Sequence, residues 1–200
     1  MIREAYEHAA ALFVNVAGQI GPTRWDTPAL GVWTIRDLVG HTSRALLTVE
    51  SYLATPATQR DLLRPVDYFL RVQAGLADPT AVAARGREAG AALGSDPAAT
   101  VRDIAARVLA QVKTVSDEVL VRTPVGGMRL IDYLPSRVFE LGVHTLDLAA
   151  ALPVPVVLPE TVATVAAHLL ADLAVQSGKA TPLLLVGTGR GALPAGFSVL

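Results

Sequence analysis

The chain has 200 residues, of which 17 are lysine or arginine and 18 are aspartate or glutamate, so its formal net charge is only −1. This length fits one domain, and the balanced charge argues against nucleic acid or an anionic membrane surface as the main partner. The sequence contains no cysteine, which excludes disulfides, a thiolate nucleophile and cysteine-ligated zinc. Any metal would have to be held by histidine and carboxylates, and any thiol would have to come from outside the protein.

The beginning of the chain predicts two helices separated by a turn. Apolar residues recur at a helical period at Ile2, Tyr6, Ala9, Phe13, Val16 and Ile20. Gly21 and Pro22 are expected to end this first helix. The second helix is predicted to begin at Thr34, which together with Asp37 resembles a capping box, and to run to about Ala54.

Helical patterns continue through the middle of the chain. Residues 64–75 predict a short helix, and the alanine-rich residues 78–94 predict another. The helix expected to begin near Pro97 has the clearest amphipathic pattern, with apolar residues at Val101, Ile104, Val108, Val112, Val115 and Val119. The stretch TPVGGMRL, residues 123–130, is interpreted as a loop because of its proline and paired glycines.

Two further helices are predicted over residues 130–152 and 160–176, and residues 179–200 are interpreted as two short strands around a glycine-rich turn. A superficial G-x-G-x-x-A match in this tail is assigned to the hairpin turn, since no helix is expected to follow it. The predicted fold is all-α: an antiparallel four-helix bundle with accessory short helices over residues 1–178 and a small C-terminal β-hairpin. Residues 1–200 are expected to form a single domain.

Four polar side chains crowd into the apolar segment RVFELGVHTLDLAA, residues 137–150. At about 100° per residue, Arg137, Glu140, His144 and Asp147 fall within one arc of a helix, and the opposite face carries no charge. One interpretation is an ordinary solvated face. The other turns the arc inward, so that the small residues of the opposite face pack against another helix. The pattern by itself does not decide between the two.

A histidine on the second predicted helix makes a metal site possible. Glu140 and His144 are four residues apart on one helix, and His41 comes from another, an arrangement that suits Zn²⁺ and related divalent ions. Three protein ligands leave one coordination position open, as in catalytic zinc sites. Asp147 could then orient a ligand or a bound thiol or water. The plainer alternative for a lone histidine among apolar residues is a core or boundary position.

Two segments resemble a known family. WTIRDLVGH and RVFELGVHTLDLA resemble the two signature segments of the mycothiol-dependent maleylpyruvate isomerase family, and TGRGALPAGFSVL resembles the ending of its short members. The resemblance extends from Trp33 to Leu200 and implies a DinB-like four-helix bundle. It also implies that His41, Glu140 and His144 bind a divalent metal, usually zinc. The open position would then take the thiolate of mycothiol, because zinc lowers the pKa of a bound thiol.

We therefore expect a zinc-dependent enzyme that uses mycothiol as a cosubstrate, for S-transfer to a small electrophile or for its isomerisation. Asp147 and Arg137 are the candidate catalytic residues. Arg137 either pairs with Glu140 or receives an anionic substrate, and the pairing is favoured. One alternative is a hydrolase that uses metal-activated water, with Asp147 as the base. Another is a non-catalytic DinB-like binding protein with a vestigial metal site.

Location and partners are expectations from composition. The start of the chain does not resemble a signal peptide, because Glu4 and Glu7 interrupt its apolar residues. The longest apolar stretch near the end is too short to span a bilayer. We expect a cytoplasmic protein whose partners are the electrophile and the thiol, with no nucleic acid and no membrane. Helical bundles of this size often dimerise, so a homodimer is a further expectation.

Overall fold

A computed structural model describes residues 1–75 and 78–200. In chain order its elements are α1 (Ile2–Gly18), α2 (Ile35–Ala54), α3 (Pro65–Gly75), α4 (Pro79–Ala92), α5 (Pro97–Thr114), β1 (Leu120–Thr123), β2 (Gly126–Arg129), α6 (Leu130–Ala151), α7 (Glu160–Gln176) and α8 (Ala180–Gly187). The predicted mostly helical fold is confirmed. Over these described residues, no helix is both long enough and apolar enough to cross a lipid bilayer.

The helices α1, α2, α5 and α6 form a ring in which each helix contacts two others. α6 lies between α1 and α2, and α5 closes the ring by contacting the same two helices from the other side. Their inward faces bury large side chains, among them Tyr6, Phe13, Leu38, Leu46, Val101, Val108, Leu134 and Leu141. The predicted four-helix bundle is therefore present. α5 ends at Thr114 and does not continue to Val119, because the backbone becomes extended at Val115 on its way to β1.

The start of α2 is fixed by the predicted capping box. The backbone N–H of Asp37 donates to Thr34 Oγ1 at 3.2 Å, and the backbone N–H of Thr34 donates to Asp37 Oδ2 at 3.0 Å. These reciprocal bonds satisfy two N–H groups that a helix start otherwise leaves without partners. The cap therefore sets the helical register about two turns before His41.

The shorter helices pack on the outside of the ring. α4 lies against α2, α7 contacts α1 and α6, and α3 contacts α6 and α7. The approach of α4 to α2 is very close, because a Cβ atom added at Gly40 would lie 2.1 Å from the backbone nitrogen of Gly90. The backbones of the two helices can therefore meet only where both lack side chains.

The β-hairpin lies before α6, not at the end of the chain. β1 and β2 pair antiparallel over residues 120–129, in a stretch whose second half was predicted as a loop. The glycines that argued against a strand are required by its geometry. Gly126 has a φ of 132°, and a Cβ on Gly127 would lie 2.1 Å from the carbonyl oxygen of Gln59. The hairpin leads directly into α6.

The predicted hairpin over residues 179–200 is wrong. Ala180–Gly187 forms the helix α8, and none of residues 179–200, all of which the structure describes, lies in a strand. The apolar run PLLLV is too short for its period to distinguish a strand from a turn of helix. Beyond α8 the chain folds back, so that Val199 is buried and Leu200 lines a cavity.

Candidate metal centre

The uncharged face of α6 packs against its neighbours. Val138 and Thr145 are fully buried. Between them on the helix surface, Gly142 lies so close to α7 that an added Cβ would be 3.3 Å from Val162 Cγ1. Small residues on this face therefore allow α7 to approach, as the inward interpretation of the polar arc requires.

The polar arc of α6 is itself largely withdrawn from water. Arg137 is 6% exposed, and the side chains of His144, Glu140 and Asp147 are 17%, 23% and 30% exposed. The alternative of an ordinary solvated face is therefore wrong. Charges that are removed from water need partners or a function, since their desolvation is costly.

Three of the predicted residues converge. His41 on α2 and Glu140 and His144 on α6 each offer a ligand atom, and these atoms all lie within 4.8 Å of one another. His144 Nε2 is 3.2 Å from Glu140 Oε2, and the two imidazole rings meet edge to face with centroids 4.8 Å apart. The spacing of four on α6 thus brings one nitrogen and one oxygen to the same point. The arrangement could hold a divalent metal ion.

The surroundings of His41 suit a metal ligand. Its Nδ1 is buried and has no hydrogen-bond partner among residues 1–75 and 78–200. The ring packs on Trp33, with centroids 4.4 Å apart. Burial, reinforced by the nearby His144, lowers the pKa of His41 to about 4, so the imidazole is neutral at pH 7. A neutral imidazole with an unused nitrogen is the form that binds a metal.

Glu140 and His144 form an ion pair in the absence of a metal. Burial acts to raise the pKa of Glu140, but the hydrogen bond from His144 and the charge of Arg137 outweigh it and lower this pKa to about 2. Burial likewise acts to lower the pKa of His144, but hydrogen bonds to Asp147 and Glu140 raise it to about 9. The carboxylate therefore attracts a positive charge at the point where the three ligand atoms meet.

Asp147 holds the far side of the His144 ring. His144 Nδ1 lies 3.0 Å from Asp147 Oδ2, so Nε2 remains for Glu140 or for a metal ion. Histidine ligands in metal sites commonly make this hydrogen bond, which fixes the ring orientation and raises its basicity. The contact supports the predicted orienting role of Asp147. It does not support the role of a base, because the Asp147 carboxylate is already hydrogen-bonded to His144 Nδ1.

Replacing Asp147 with alanine is expected to weaken zinc binding about 10–100-fold while the helices remain folded, because His144 loses the group that orients it. Isothermal titration with zinc measures this change, and circular dichroism checks the fold. Asp103→Ala, at an exposed position on α5, is the matched control and should bind zinc like the parent. Equal affinities of the Asp147 and Asp103 variants would contradict the orienting role.

A cavity of about 520 Å³ opens beside the cluster. His41 and Glu140 form part of its lining, together with Arg137 of α6. Aromatic and aliphatic side chains supply much of the remaining wall, including Tyr52, Tyr68, Phe69, Val72, Val82 and Pro124. A pocket of this size with a few convergent polar groups is typical of small-molecule sites.

Arg137 does not pair with Glu140, so the favoured sequence interpretation is wrong. Its guanidinium lies over two neighbouring aromatic rings, with Cζ 4.8 Å from the ring centroid of Tyr133 and 5.2 Å from that of Tyr68. Its Nε donates to Ser136 Oγ at 3.1 Å. In the part of the chain that the structure describes, Arg137 forms no ion pair. The two rings stabilise the cation through their faces and leave most of its N–H groups uncommitted.

Sequence patterns missed the wall that α3 contributes. Tyr68, Phe69 and Gln73 line the cavity from this short helix, which the pattern identified only as helical. The adjacent aromatic residues were the only local signal. Their position over α6 depends on how α3 crosses the bundle, which a helical period does not reveal.

The fold and the cluster define the class: a helical bundle in which two core helices present a His, Glu, His group at the edge of a cavity. Residues 6–149 match the family model described as mycothiol maleylpyruvate isomerase N-terminal domain, and the chain belongs to this family. The match includes His41, Glu140, His144 and Asp147, and it confirms the predicted family. Neither the curated proteins nor the solved structures gave a match.

Proposed function

We propose that this protein is a divalent-metal-dependent enzyme, with zinc as its metal, that activates mycothiol for transfer to a small electrophile or for its isomerisation. The convergence of His41, Glu140 and His144 at a cavity is the observation that carries this proposal. The unpartnered, buried Nδ1 of His41 supports it, because such a nitrogen is costly unless it binds something. Membership of a family named for a thiol-dependent isomerase supports the choice of thiol.

The donor set fits zinc. Two imidazoles and one carboxylate, His41, His144 and Glu140, would hold the ion and leave a position open for an exogenous ligand. When bound, zinc lowers the pKa of a thiol and keeps it as the nucleophilic thiolate at neutral pH. Asp147 orients His144, and aromatic side chains form part of the cavity wall beside the reacting groups. The chain has no cysteine, so the thiol must be a separate molecule.

A hydrolase that uses water has less support from the geometry. Such an enzyme needs a base beside the open position, and Asp147 was the predicted candidate. Its carboxylate is instead hydrogen-bonded to the outer nitrogen of His144. A thiol needs no such base once its pKa is lowered, because it is already ionised. The thiol proposal therefore accounts for more of the residues at the centre.

Turnover of 1-chloro-2,4-dinitrobenzene by the zinc-loaded protein tests the proposal. With mycothiol, a carbon–sulfur bond forms as the carbon–chlorine bond breaks, chloride leaves, and the thiol proton passes to solvent. We expect this reaction to require mycothiol and to be lost in His41→Ala. His168→Ala, which removes an exposed histidine of α7, should retain it. Hydrolysis without thiol would favour the hydrolase, and zinc binding without any turnover would favour a binding protein; either result would contradict the proposal.

A further inference from the structure

The cavity beside the candidate metal centre has an excess of positive charge. Its charged lining residues are Arg44, Arg85, Arg137 and Glu140. Three cations therefore face one carboxylate, although the whole chain has a net charge of −1. Field lines inside a cavity with apolar walls are screened less than at the surface, so this local excess favours an anionic ligand.

The Glu140 carboxylate forms no ion pair with Arg44 or Arg137. Glu140 is committed to His144, whose Nε2 lies 3.2 Å away. Among the described residues, the guanidinium of Arg44 forms neither a hydrogen bond nor an ion pair, and Arg137 forms no ion pair. The cavity therefore contains two cations from different helices, α2 and α6, whose charges no carboxylate of the described chain neutralises by direct contact.

Of Arg44 and Arg137, Arg137 is better placed to bind an anionic ligand. It is 6% exposed, so its charge has lost most of its hydration, and the only hydrogen bond that the described structure gives its guanidinium runs from Nε to Ser136. Its Cζ lies over the rings of Tyr68 and Tyr133, which stabilise the charge and form no ion pair with it. The edge of a guanidinium presents a rigid fork of N–H donors, which matches the two coplanar oxygens of a carboxylate.

The uncharged side chains of the cavity wall indicate the shape and polarity of the rest of the ligand. Tyr52, Phe69, Val72 and Val82 line the cavity with ring and branched apolar surfaces. Such surfaces contact a flat apolar body well and give nothing to a second charged group. Gln73 adds one further polar group, since its buried Nε2 has no hydrogen-bond partner within the described residues.

We propose that the electrophile of this site is a carboxylate with a flat apolar body, and that Arg137 receives the carboxylate. That the ligand reacts as an electrophile rests on the proposed function, but its binding at Arg137 can be measured without turnover. Arg137 and Glu140 are one helical turn apart on α6 and line the same cavity. A carboxylate held at Arg137 therefore keeps the apolar body of the substrate beside the candidate centre.

Cinnamate and cinnamamide are matched probes, because they share one flat body and differ in charge. In zinc-loaded protein we expect calorimetry to give cinnamate at least about 10-fold the affinity of cinnamamide, as for a hydrogen-bonded charge. Arg137→Met should remove this preference and leave cinnamamide binding within about twofold of the parent. Arg102→Met, at an exposed arginine of α5 without a hydrogen bond or ion pair in the described chain, should keep the preference.

The same measurements separate this inference from others. Equal affinities for the two probes in the unaltered protein would overturn it, whatever the variants do. A preference that disappears on removing zinc and persists in Arg137→Met would also overturn it, because the metal would then receive the carboxylate. Arg137→Lys keeps the charge without the planar fork, and we expect it to retain part of the preference. If zinc does not bind at all, the proposed function fails, whereas a cinnamate preference that depends on Arg137 still stands.

Discussion

Replacing His144 with alanine is expected to lower the affinity for zinc by more than about 100-fold, because loss of a group that merely orients a ligand already costs about 10–100-fold. His144 is the residue on which the centre depends most. It contacts His41, Glu140 and Asp147, and so links every predicted member of the cluster. Titration with zinc in competition with a chromophoric chelator measures the change over this range.

The control is the same substitution at His168, which is exposed on α7 and should leave zinc affinity unchanged. Circular dichroism should show a similar helical content for both variants, because the side chain of His144 is not part of the apolar core. Zinc binding by His144→Ala that equals binding by His168→Ala would remove His144 from the ligand set. Both variants losing affinity together would instead indicate a site elsewhere.

Part of the candidate metal cluster could be predicted because its geometry is local. Glu140 and His144 lie on one helix, and the spacing of four fixes their relative positions before any tertiary packing is considered. Only the approach of His41 from α2 is a tertiary feature, and the register of α2 is set by the capping box at Thr34. The helical period and the cap therefore place each residue on its helix, whereas the convergence of the two helices was expected from the family resemblance.

The environment of Arg137 could not be predicted in the same way. Its pairing with Glu140 was expected because the two residues are neighbours on the helix. The structure gives Glu140 a closer partner in His144 and surrounds Arg137 with two tyrosines, one of them Tyr68 from α3. Which of several nearby groups a charged side chain contacts depends on tertiary packing. The sequence of α3 carries no pattern that specifies where this helix crosses α6.

The two β assignments failed for a related reason. Glycine and proline in residues 123–130 argue against a strand when only local propensity is considered, yet Gly127 is needed because the backbone at Gln59 crosses it. In the tail, the short apolar run that forms α8 satisfies both a strand and a helix pattern. Long amphipathic helices such as α2 are specified by many residues, whereas these short elements contain too few residues for their hydrophobic period to identify them.

The close crossing of α2 and α4 predicts a large effect of substitution on stability. Replacing Gly40 with alanine is expected to lower the free energy of unfolding by about 2 kcal/mol or more, the cost of overpacking exceeding the gain in helix propensity. The added Cβ would lie 2.1 Å from the nitrogen of Gly90 and 2.5 Å from the carbonyl carbon of Ala89, and both are backbone atoms that cannot rotate away. Urea unfolding followed by circular dichroism measures the change.

Two further glycine substitutions are expected to change stability less than Gly40→Ala does. Gly90→Ala brings its Cβ to 2.9 Å from the carbonyl oxygen of Arg36, so a smaller loss is expected. Gly18→Ala, at the end of α1, meets no atom within 4 Å and should leave stability unchanged or slightly raised. Equal stability of the Gly40 and Gly18 variants would contradict the close crossing.

The crossing also connects stability to the candidate centre. Gly40 precedes His41, and the ring of Trp33 that packs on His41 is tied to α4 by a hydrogen bond from its Nε1 to the carbonyl oxygen of Ala83, at 3.1 Å. Forcing α4 away from α2 therefore displaces both the backbone and the packing partner of a predicted ligand. We expect Gly40→Ala to lose zinc affinity even where it remains folded, and Gly18→Ala to lose none.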